Sequence, residues 1–318
     1  MSSPVDTLAC SACDARGATL RPFRGGTYRL ARCVRCGLGW VVDPPEGEQL
    51  AALYSTGFYE PGPARANRVI ELGHVFNNAF RMRELRGLPR GRLLDVGSGR
   101  GRFLAAASDA GWDAVGIEFE PGLAQMAADR YGVEVVVGDA VSAPVQGPFD
   151  IVTMWHVLEH LPDPLAATER ARELLGPSGR LIISVPNNDS WQARLGGDDW
   201  LHLDIPRHIY HFTPDSLTRL VERAGLRVEH IGHLYPEMEI LGVLQTALNR
   251  CGIDPDLLYR FAKRDRSVGH GSNVIVSLAV AAALLPAALA ASVLAPVARS
   301  GASMQLVAVR DREAGTSG

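Results

Sequence analysis

Short apolar runs alternate with stretches of helical periodicity through most of the chain. Seven runs have the length and flanking turn residues of strands: 93–96, 114–118, 133–137, 149–154, 179–185, 226–231 and 304–309. Helices are predicted between them, at 103–110, 121–131, 164–175 and 214–224. Strands and helices in alternation form parallel sheets with helices on both faces. The pattern therefore predicts an α/β fold with a doubly wound sheet.

Three glycines follow the first predicted strand at alternate positions, Gly97, Gly99 and Gly101. Glycine adopts positive φ readily and lets a ligand approach the backbone. With Asp95 in the strand and a helix after the turn, this is the outline of a nucleotide-cofactor site. The dinucleotide fingerprint needs a sixth-position glycine where Arg102 stands, which disfavours NAD. A plain tight turn is the alternative.

Two acids stand at the ends of the next two predicted strands. Glu118 lies about twenty residues beyond the glycine turn, where α/β cofactor folds place a carboxylate that accepts the ribose hydroxyls. Its alternative role is that of a solvated acid at a strand end. Asp139, followed by Ala140, ends the third strand, and its carboxylate is placed to accept the adenine amino group.

A histidine-rich segment follows the fourth predicted strand. His156, Glu159 and His160 match the H-x-x-E-H pattern of some zinc proteases. That pattern needs a long helix, which Pro162 and Pro164 would cut short. No separate third ligand is evident, so a metalloprotease is disfavoured.

These motifs together resemble those of class I S-adenosylmethionine (SAM) methyltransferases. The G-x-G-x-G turn is similar to their motif I, and residues 155–164 are similar to their H-V-L-E-H-L-P-D-P segment. The resemblance covers residues 93–310 and implies SAM as methyl donor, with a seven-stranded Rossmann-like sheet whose last strand is antiparallel. The cofactor-binding residues that it implies are Asp95, Gly97, Ser98, Gly99, Gly101, Glu118, Asp139, Ala140, Trp155 and His156.

The loop at residues 200–214 is dense in polar aromatic and charged side chains. It resembles the D-x-P-R-H-x-Y-H-F loop of glycan-cluster methyltransferases, and it is faintly similar to a loop of zinc-ribbon sugar methyltransferases. A histidine that titrates near neutrality suits removal of a hydroxyl proton. The catalytic candidates are His208 first, His211 second and His160 third. Asp204 or Arg207 would orient the acceptor. Alternatively, the histidines only tie the loop to the sheet.

Four of the five cysteines form two C-x-x-C pairs near the N-terminus: Cys10, Cys13, Cys33 and Cys36. This spacing predicts a closed, structural zinc site, because four thiolates leave no open position. About forty residues bury little core, and a metal supplies the missing stability. Iron, or four free thiols, are the alternatives. We predict a zinc-ribbon-like module at 1–45, a helical lid or linker at 46–91 and the methyltransferase domain at 92–318.

Composition adds three limits. The 318 residues are 47% hydrophobic, which suits a packed core, and the net charge of −3 argues against a dedicated nucleic-acid binder. Paired cysteines in this pattern suit a reducing compartment. The first residues lack the basic and apolar regions of a signal peptide, so we expect a cytoplasmic protein.

Residues 274–298 carry no charge and are long enough to span a bilayer. Because the last strand must return to the sheet, we expect a helical hairpin broken near Pro286. Basic residues flank it, Lys263, Arg264, Arg266 and Arg299, which suits the inner face of the cell membrane. A buried dimer interface is the alternative, and the oligomeric state stays open.

The combined expectation is a SAM-dependent methyltransferase that O-methylates a saccharide or lipid-linked glycan at the membrane surface. The alternatives are a methyltransferase for a quinone, polyprenyl or other small molecule, and a non-catalytic scaffold with the same fold.

Overall fold

The computed structural model describes residues 4–45, 49, 68–252 and 272–310. The strands in chain order are β1 Pro4–Ala9, β2 Arg16–Phe23, β3 Tyr28–Cys33, β4 Gly39–Val41, β5 Arg92–Val96, β6 Asp113–Glu118, β7 Glu134–Val137, β8 Phe149–Trp155, β9 Leu175–Pro186, β10 Tyr210–His211, β11 Leu226–Gly232 and β12 Ser303–Arg310. The helices are α1 Arg68–Arg83, α2 Arg102–Asp109, α3 Pro121–Tyr131, α4 Pro164–Leu174, α5 Trp191–Gly196, α6 Pro214–Arg223, α7 Pro236–Arg250 and α8 Ser272–Val297.

The larger sheet has seven strands in the order β11-β12-β9-β8-β5-β6-β7. Strand β5 pairs in parallel with β6 and β8, whereas β12 is antiparallel to both β9 and β11. The strand order reverses beside β5, which is where ligands bind in open α/β sheets. The predicted fold class, including the antiparallel last strand, is confirmed.

Local sequence signals set the ends of several helices. Asp163 and Thr213 each cap a helix by accepting a hydrogen bond from the backbone, and proline occupies the first turn of both helices. Ser216 completes a capping box with Thr213. The helix expected at 121–131 has these bounds in the structure. Of the helical lid or linker expected at 46–91, residues 46–48 and 50–67 lie outside the described residues.

The smaller sheet is antiparallel and has the strand order β1-β2-β3-β4-β10. Its fifth strand, Tyr210–His211, comes from the histidine-rich loop, more than 160 residues after β4 in the chain. Tyr210 pairs with Trp40, and His211 pairs with Gly39. The N-terminal module therefore shares its sheet with the loop that the sequence assigns to the acceptor.

The apolar insertion is a single 26-residue helix, α8, and the expected break at Pro286 is wrong. Proline removes one backbone N–H from a helix, but here the helix of small and aliphatic residues continues through it. The return to the sheet is made by another element: α7 packs against α8, and Gly232 at the end of β11 pairs with Gln305 in β12. The chain thus leaves and re-enters the sheet at neighbouring points.

Helix α8 leaves most of its apolar surface uncovered. Residues 274–297 are strongly apolar, and only 17% of their most apolar 18-residue stretch is buried. At 1.5 Å per residue the helix is about 39 Å long. The large exposed side chains on it are Ile275, Val276, Leu278, Leu285, Leu289, Val293, Leu294 and Val297. This helix is long and apolar enough to cross a membrane, whereas a core helix of similar composition would be mostly buried.

Candidate functional site

The glycine turn between β5 and α2 requires glycine for two different reasons. Gly97, Gly99 and Gly101 all have positive φ, between 55° and 72°. A Cβ on Gly97 would lie 2.4 Å from Cγ2 of Val157, and one on Gly101 would lie 2.6 Å from Cβ of Ala127. A Cβ on Gly99 would meet no atom of the described residues within 4 Å. The outer glycines permit packing, and Gly99 leaves open space over the turn.

Glu118 holds the turn from the neighbouring strand tip. Its Oε2 accepts a hydrogen bond of 2.7 Å from the backbone N–H of Gly99, and its Oε1 accepts one of 3.0 Å from that of Glu120. Burial raises the pKa of Glu118, and these backbone donors oppose the increase. The carboxylate therefore lies against the glycine turn, in the place where a ribose-binding acid was predicted.

Asp95 is buried in β5 and is held by β8. Thr153 Oγ1 donates a hydrogen bond of 2.7 Å to Oδ1 of Asp95. Burial raises the pKa of Asp95 to about 7, although the hydrogen bond from Thr153 and the charge of Arg81 favour the ionised form. Ser98 is also buried: its side chain packs over Gly116, and its hydroxyl has no hydrogen-bond partner among the described residues.

Asp139 follows β7 and its side chain is engaged by its own turn. The carboxylate accepts hydrogen bonds from the backbone N–H groups of Val141 and Ser142, at 2.9 and 3.0 Å, and from the Ser142 hydroxyl. The hydrogen bonds from Ser142 lower the pKa of Asp139. The residue is exposed and ionised, and Ala140 beside it is partly buried. The adenine contact stays a prediction.

Trp155 is the last residue of β8, and His156 follows it directly. Trp155 is 5% exposed and its ring packs edge-on against Phe103, at 5.2 Å between centroids. His156 has a φ of 57°, and its Nδ1 lies 3.2 Å from Oε1 of Glu159. Burial lowers the pKa of His156 to about 3, so the ring is neutral at pH 7. Trp155 thus packs in the core between β8 and α2, and the Glu159 carboxylate fixes the ring of His156.

Arg81 and Tyr235 contact Trp155 and His156, although no sequence motif singled out either residue. The guanidinium of Arg81, in α1, lies 5.3 Å from the Trp155 ring centroid, and its Nε donates a hydrogen bond of 3.2 Å to the Tyr235 hydroxyl. Tyr235 packs edge-on against His156 at 5.6 Å. The C-terminal end of helix α1 therefore lies beside Trp155, close to where β8 ends. Single positions within it could not be chosen from periodicity.

The structure brings two of the three predicted catalytic histidines together. The rings of His160 and His208 pack edge-on with centroids 4.7 Å apart. His160 Nδ1 lies 2.9 Å from the backbone oxygen of Arg207, and His208 Nδ1 lies 2.9 Å from that of His202. Burial lowers the pKa of both rings to about 4. They are neutral at pH 7 and can accept a proton, but only as weak bases.

His211 lies apart from this pair, in β10 against the N-terminal module. It is 6% exposed, and its Nε2 has no hydrogen-bond partner among the described residues. Burial lowers its pKa to about 3. Asp204 and Arg207 form a bidentate ion pair with N···O distances of 2.6–3.1 Å, each side chain about one-fifth exposed. They are the most accessible charged groups of the loop.

The four cysteines of the N-terminal pairs converge. Their sulfur atoms all lie within 4.8 Å of one another, with Cys10 and Cys36 at 3.5 Å and Cys13 and Cys33 at 3.7 Å. A zinc–sulfur bond of about 2.3 Å places tetrahedral sulfurs about 3.8 Å apart. The arrangement fits one tetrahedral metal ion. Thr213 donates a hydrogen bond to the backbone oxygen of Cys36, which ties this cluster to α6.

An open seven-stranded sheet with this glycine turn and these strand-end acids has the architecture of Rossmann-like methyltransferases. Residues 70–231, about half of the chain, match the sequence model of a family described as a methyltransferase domain. The chain belongs to this family. The matched residues do not include the cysteine module or α8.

Curated relatives agree at the level of the family. The ubiquinone biosynthesis O-methyltransferase of Xanthomonas campestris (strain B100) is 30% identical over 206 residues, covering 60% of this chain and 84% of the relative. The one of Cereibacter sphaeroides (strain ATCC 17025) is 31% identical over 147 residues, covering 42% and 60%. The chain thus spans about 60% of the length of the latter relative.

Solved structures with a similar fold have low sequence identity. A SAM-dependent methyltransferase from Archaeoglobus fulgidus is 18% identical, with a TM-score of 0.46 over 74% of this chain and 94% of that one. The magnesium protoporphyrin IX methyltransferase of Synechocystis PCC 6803, solved with bound SAH, is also 18% identical, with a TM-score of 0.44 over 58% and 92%.

Proposed function

We propose that this chain is a SAM-dependent O-methyltransferase whose acceptor is a hydroxyl on a polyprenylated ring, such as a quinone precursor, held at a membrane surface. The observation that carries the acceptor class is the exposed apolar helix α8, joined directly to the sheet through β12. The relatives named for ubiquinone biosynthesis support the same chemistry.

The residues around the glycine turn fit the cofactor. The open space over Gly99 admits a ligand to the backbone, Glu118 lies against the turn, and Asp139 lies ionised at the next strand tip. SAM supplies an electrophilic methyl group for in-line displacement. The protein's contribution is to hold the acceptor hydroxyl in line with that group and to exclude water.

The loop that follows β9 is the proposed acceptor side. Asp204 and Arg207 offer one accessible acceptor of hydrogen bonds and one donor for orienting a hydroxyl or a ring substituent. His208 is the candidate base, because its ring is neutral at pH 7. This role requires that no metal ion binds the lone pair of its Nε2.

The N-terminal cysteines are proposed to hold a structural zinc ion, since their geometry fits a tetrahedron and leaves no open position. Zinc at this position would stabilise the small sheet, to which the acceptor loop contributes β10. The proposed location is the cytoplasmic face of the membrane. Arg299, directly after α8, suits an anionic surface.

A saccharide acceptor remains the second candidate, supported by the resemblance of the 200–214 loop to that of glycan-cluster methyltransferases. The curated relatives favour the quinone class instead.

The test is transfer of labelled methyl from SAM to three acceptors presented in detergent micelles: a polyprenylated dihydroxybenzene, the same ring without the prenyl chain, and a lipid-linked saccharide fraction. Label in the first, and much less in the second, supports the proposal. Label only in the saccharide fraction overturns the acceptor class. Heat of SAM binding without label in any acceptor favours a non-catalytic scaffold.

A further inference from the structure

We propose that Glu159, His160 and His208 form a binding site for a divalent transition-metal ion, distinct from the cysteine cluster. One potential ligand atom of each residue lies within 4.8 Å of those of the other two. The three residues come from two segments: the turn Leu158–His160 after β8, and the loop before β10. A bound ion would fasten the acceptor loop to the cofactor side of the sheet.

The tautomers of both imidazoles favour coordination. A backbone carbonyl oxygen only accepts hydrogen bonds, so Nδ1 of His160 donates to Arg207 and Nδ1 of His208 donates to His202, each at 2.9 Å. In the neutral ring the lone pair then lies on Nε2. Metal-ligating histidines are held in the same way, with the second ring nitrogen donating to a carbonyl or carboxylate.

Glu159 provides the independent observation that a ligand belongs at this point. Its side chain is fully buried, and Oε1 lies 3.2 Å from Nδ1 of His156. Its Oε2 is buried with no hydrogen-bond partner among the residues that the structure describes. An unpaired buried carboxylate oxygen is costly, and a cation offsets that cost.

The donor set indicates the class of ion. Two imidazole nitrogens and one carboxylate oxygen suit first-row divalent ions such as Zn²⁺, Fe²⁺ or Mn²⁺. Asp204 lies 3.9 Å from His208 Nε2, but its carboxylate is already paired with Arg207. It therefore balances charge near the site without serving as a ligand.

A competing arrangement needs no metal: a protonated Glu159 would donate a hydrogen bond to one of the ring nitrogens. The two arrangements differ in what they predict for added metal. Coordination also uses the Nε2 lone pair, so a metal-bound His208 would position the loop and would not be the base. The metal site itself does not depend on the acceptor proposed above.

The experiment titrates the full-length, zinc-loaded chain with Mn²⁺, because thiolates prefer softer ions and the cysteine cluster is already filled. Electron paramagnetic resonance measures free Mn²⁺. The expected result is one bound Mn²⁺ per chain, lost in Glu159→Gln and His208→Asn. The matched control is His211→Asn, which alters a buried histidine of the same loop outside the cluster and should keep the site.

Hydrogen exchange of the unaltered chain supplies a readout that needs no variant. Bound Mn²⁺ should slow amide exchange in residues 201–211, relative to residues 10–36 as internal reference. Absence of bound Mn²⁺, equal binding in Glu159→Gln and His208→Asn, or loop exchange that Mn²⁺ leaves unchanged would each overturn the proposal.

Discussion

His211 lies opposite Gly39 in the short antiparallel pairing of β10 with β4, which joins the histidine-rich loop to the cysteine module. A Cβ built on Gly39 would lie 3.2 Å from Cβ of His211 and 3.7 Å from Nδ2 of Asn188. The two strands can approach this closely because position 39 has no side chain. The position of the proposed acceptor loop, residues 200–211, therefore depends on the N-terminal module.

We expect Gly39→Val to displace β10 and the loop that precedes it. Misplacement of about 1 Å can lower turnover by roughly a hundredfold, so kcat/KM for the acceptor should fall strongly. SAM affinity, measured by calorimetry, should change little, because the glycine turn lies on the other sheet. The control is Gly232→Val, whose added Cβ lies 4.0 Å from its nearest neighbour. Equal loss of SAM binding in Gly39→Val would contradict this separation.

Loss of the proposed zinc should spread to the same loop. We expect Cys10→Ser to bind less than one zinc per chain, to lower the melting temperature and to speed amide exchange at both Gly39–Val41 and Tyr210–His211. Cys251→Ser is the control, since Cys251 is exposed and lies outside the cluster. Faster exchange confined to residues 4–36 would show that the module and the loop are uncoupled.

In the glycine turn, Gly101 is required for packing, whereas Gly99 is expected to give a ligand access to the backbone. Gly101→Ala should destabilise the fold, because its Cβ would lie 2.6 Å from that of Ala127. Gly99→Ala should cost only about 1–2 kcal/mol of folding free energy for its left-handed backbone, yet it should weaken SAM binding because its methyl group enters the open space. Urea unfolding and calorimetry measure the two effects. Tight SAM binding by Gly99→Ala would place the cofactor elsewhere.

Buried histidines make stability depend on pH in a definite direction. Burial lowers the pKa of His211 to about 3, below its ordinary value of 6.5, so the unfolded chain binds the extra proton between these values. This contribution is complete above pH 6.5 and is lost as the pH falls toward 3. The raised pKa of Asp95, about 7, acts in the opposite direction, because that group favours the folded state as pH falls.

A comparison of variants isolates the histidine contribution. His211→Asn should lose less stability than the unaltered chain between pH 6.5 and 4, as measured by urea unfolding at fixed salt. Parallel curves for His211→Asn and the unaltered chain would show that His211 is protonated equally in both states.

Local pattern was sufficient for the seven-stranded sheet, because apolar runs, caps and glycines are properties of neighbouring residues. Helix α3 has its predicted bounds since Pro121 and Gly132 mark its ends. Strand pairing between segments that are distant in the chain could not be predicted from local pattern. Nothing in the two-residue strand Tyr210–His211 indicates that it would extend the sheet of the cysteine module.

Neither the hydrogen-bond partners of Asp139 nor the course of α8 could be predicted from neighbouring residues alone. The sequence placed Asp139 at a strand tip, but only geometry shows that its carboxylate accepts hydrogen bonds from Val141 and Ser142. The sequence also proposed Pro286 as a break, because proline costs a helix one hydrogen bond. Packing of α7 against α8 supplies a return path that no local rule anticipates.

Lipid contact by α8 gives the last prediction. Leu285 and Leu289, near the middle of α8, are 41% and 49% exposed, and the helix carries no charged side chain. A lysine at the bilayer centre costs about 2.5–3.5 kcal/mol, so the double variant Leu285→Lys with Leu289→Lys should no longer float with anionic liposomes in a density gradient. Leu195→Lys alters a side chain 64% exposed outside α8 and should float like the unaltered chain. If the lysine variant floats unchanged, or if the unaltered chain stays at the bottom as a dimer, α8 serves a protein interface instead of a membrane.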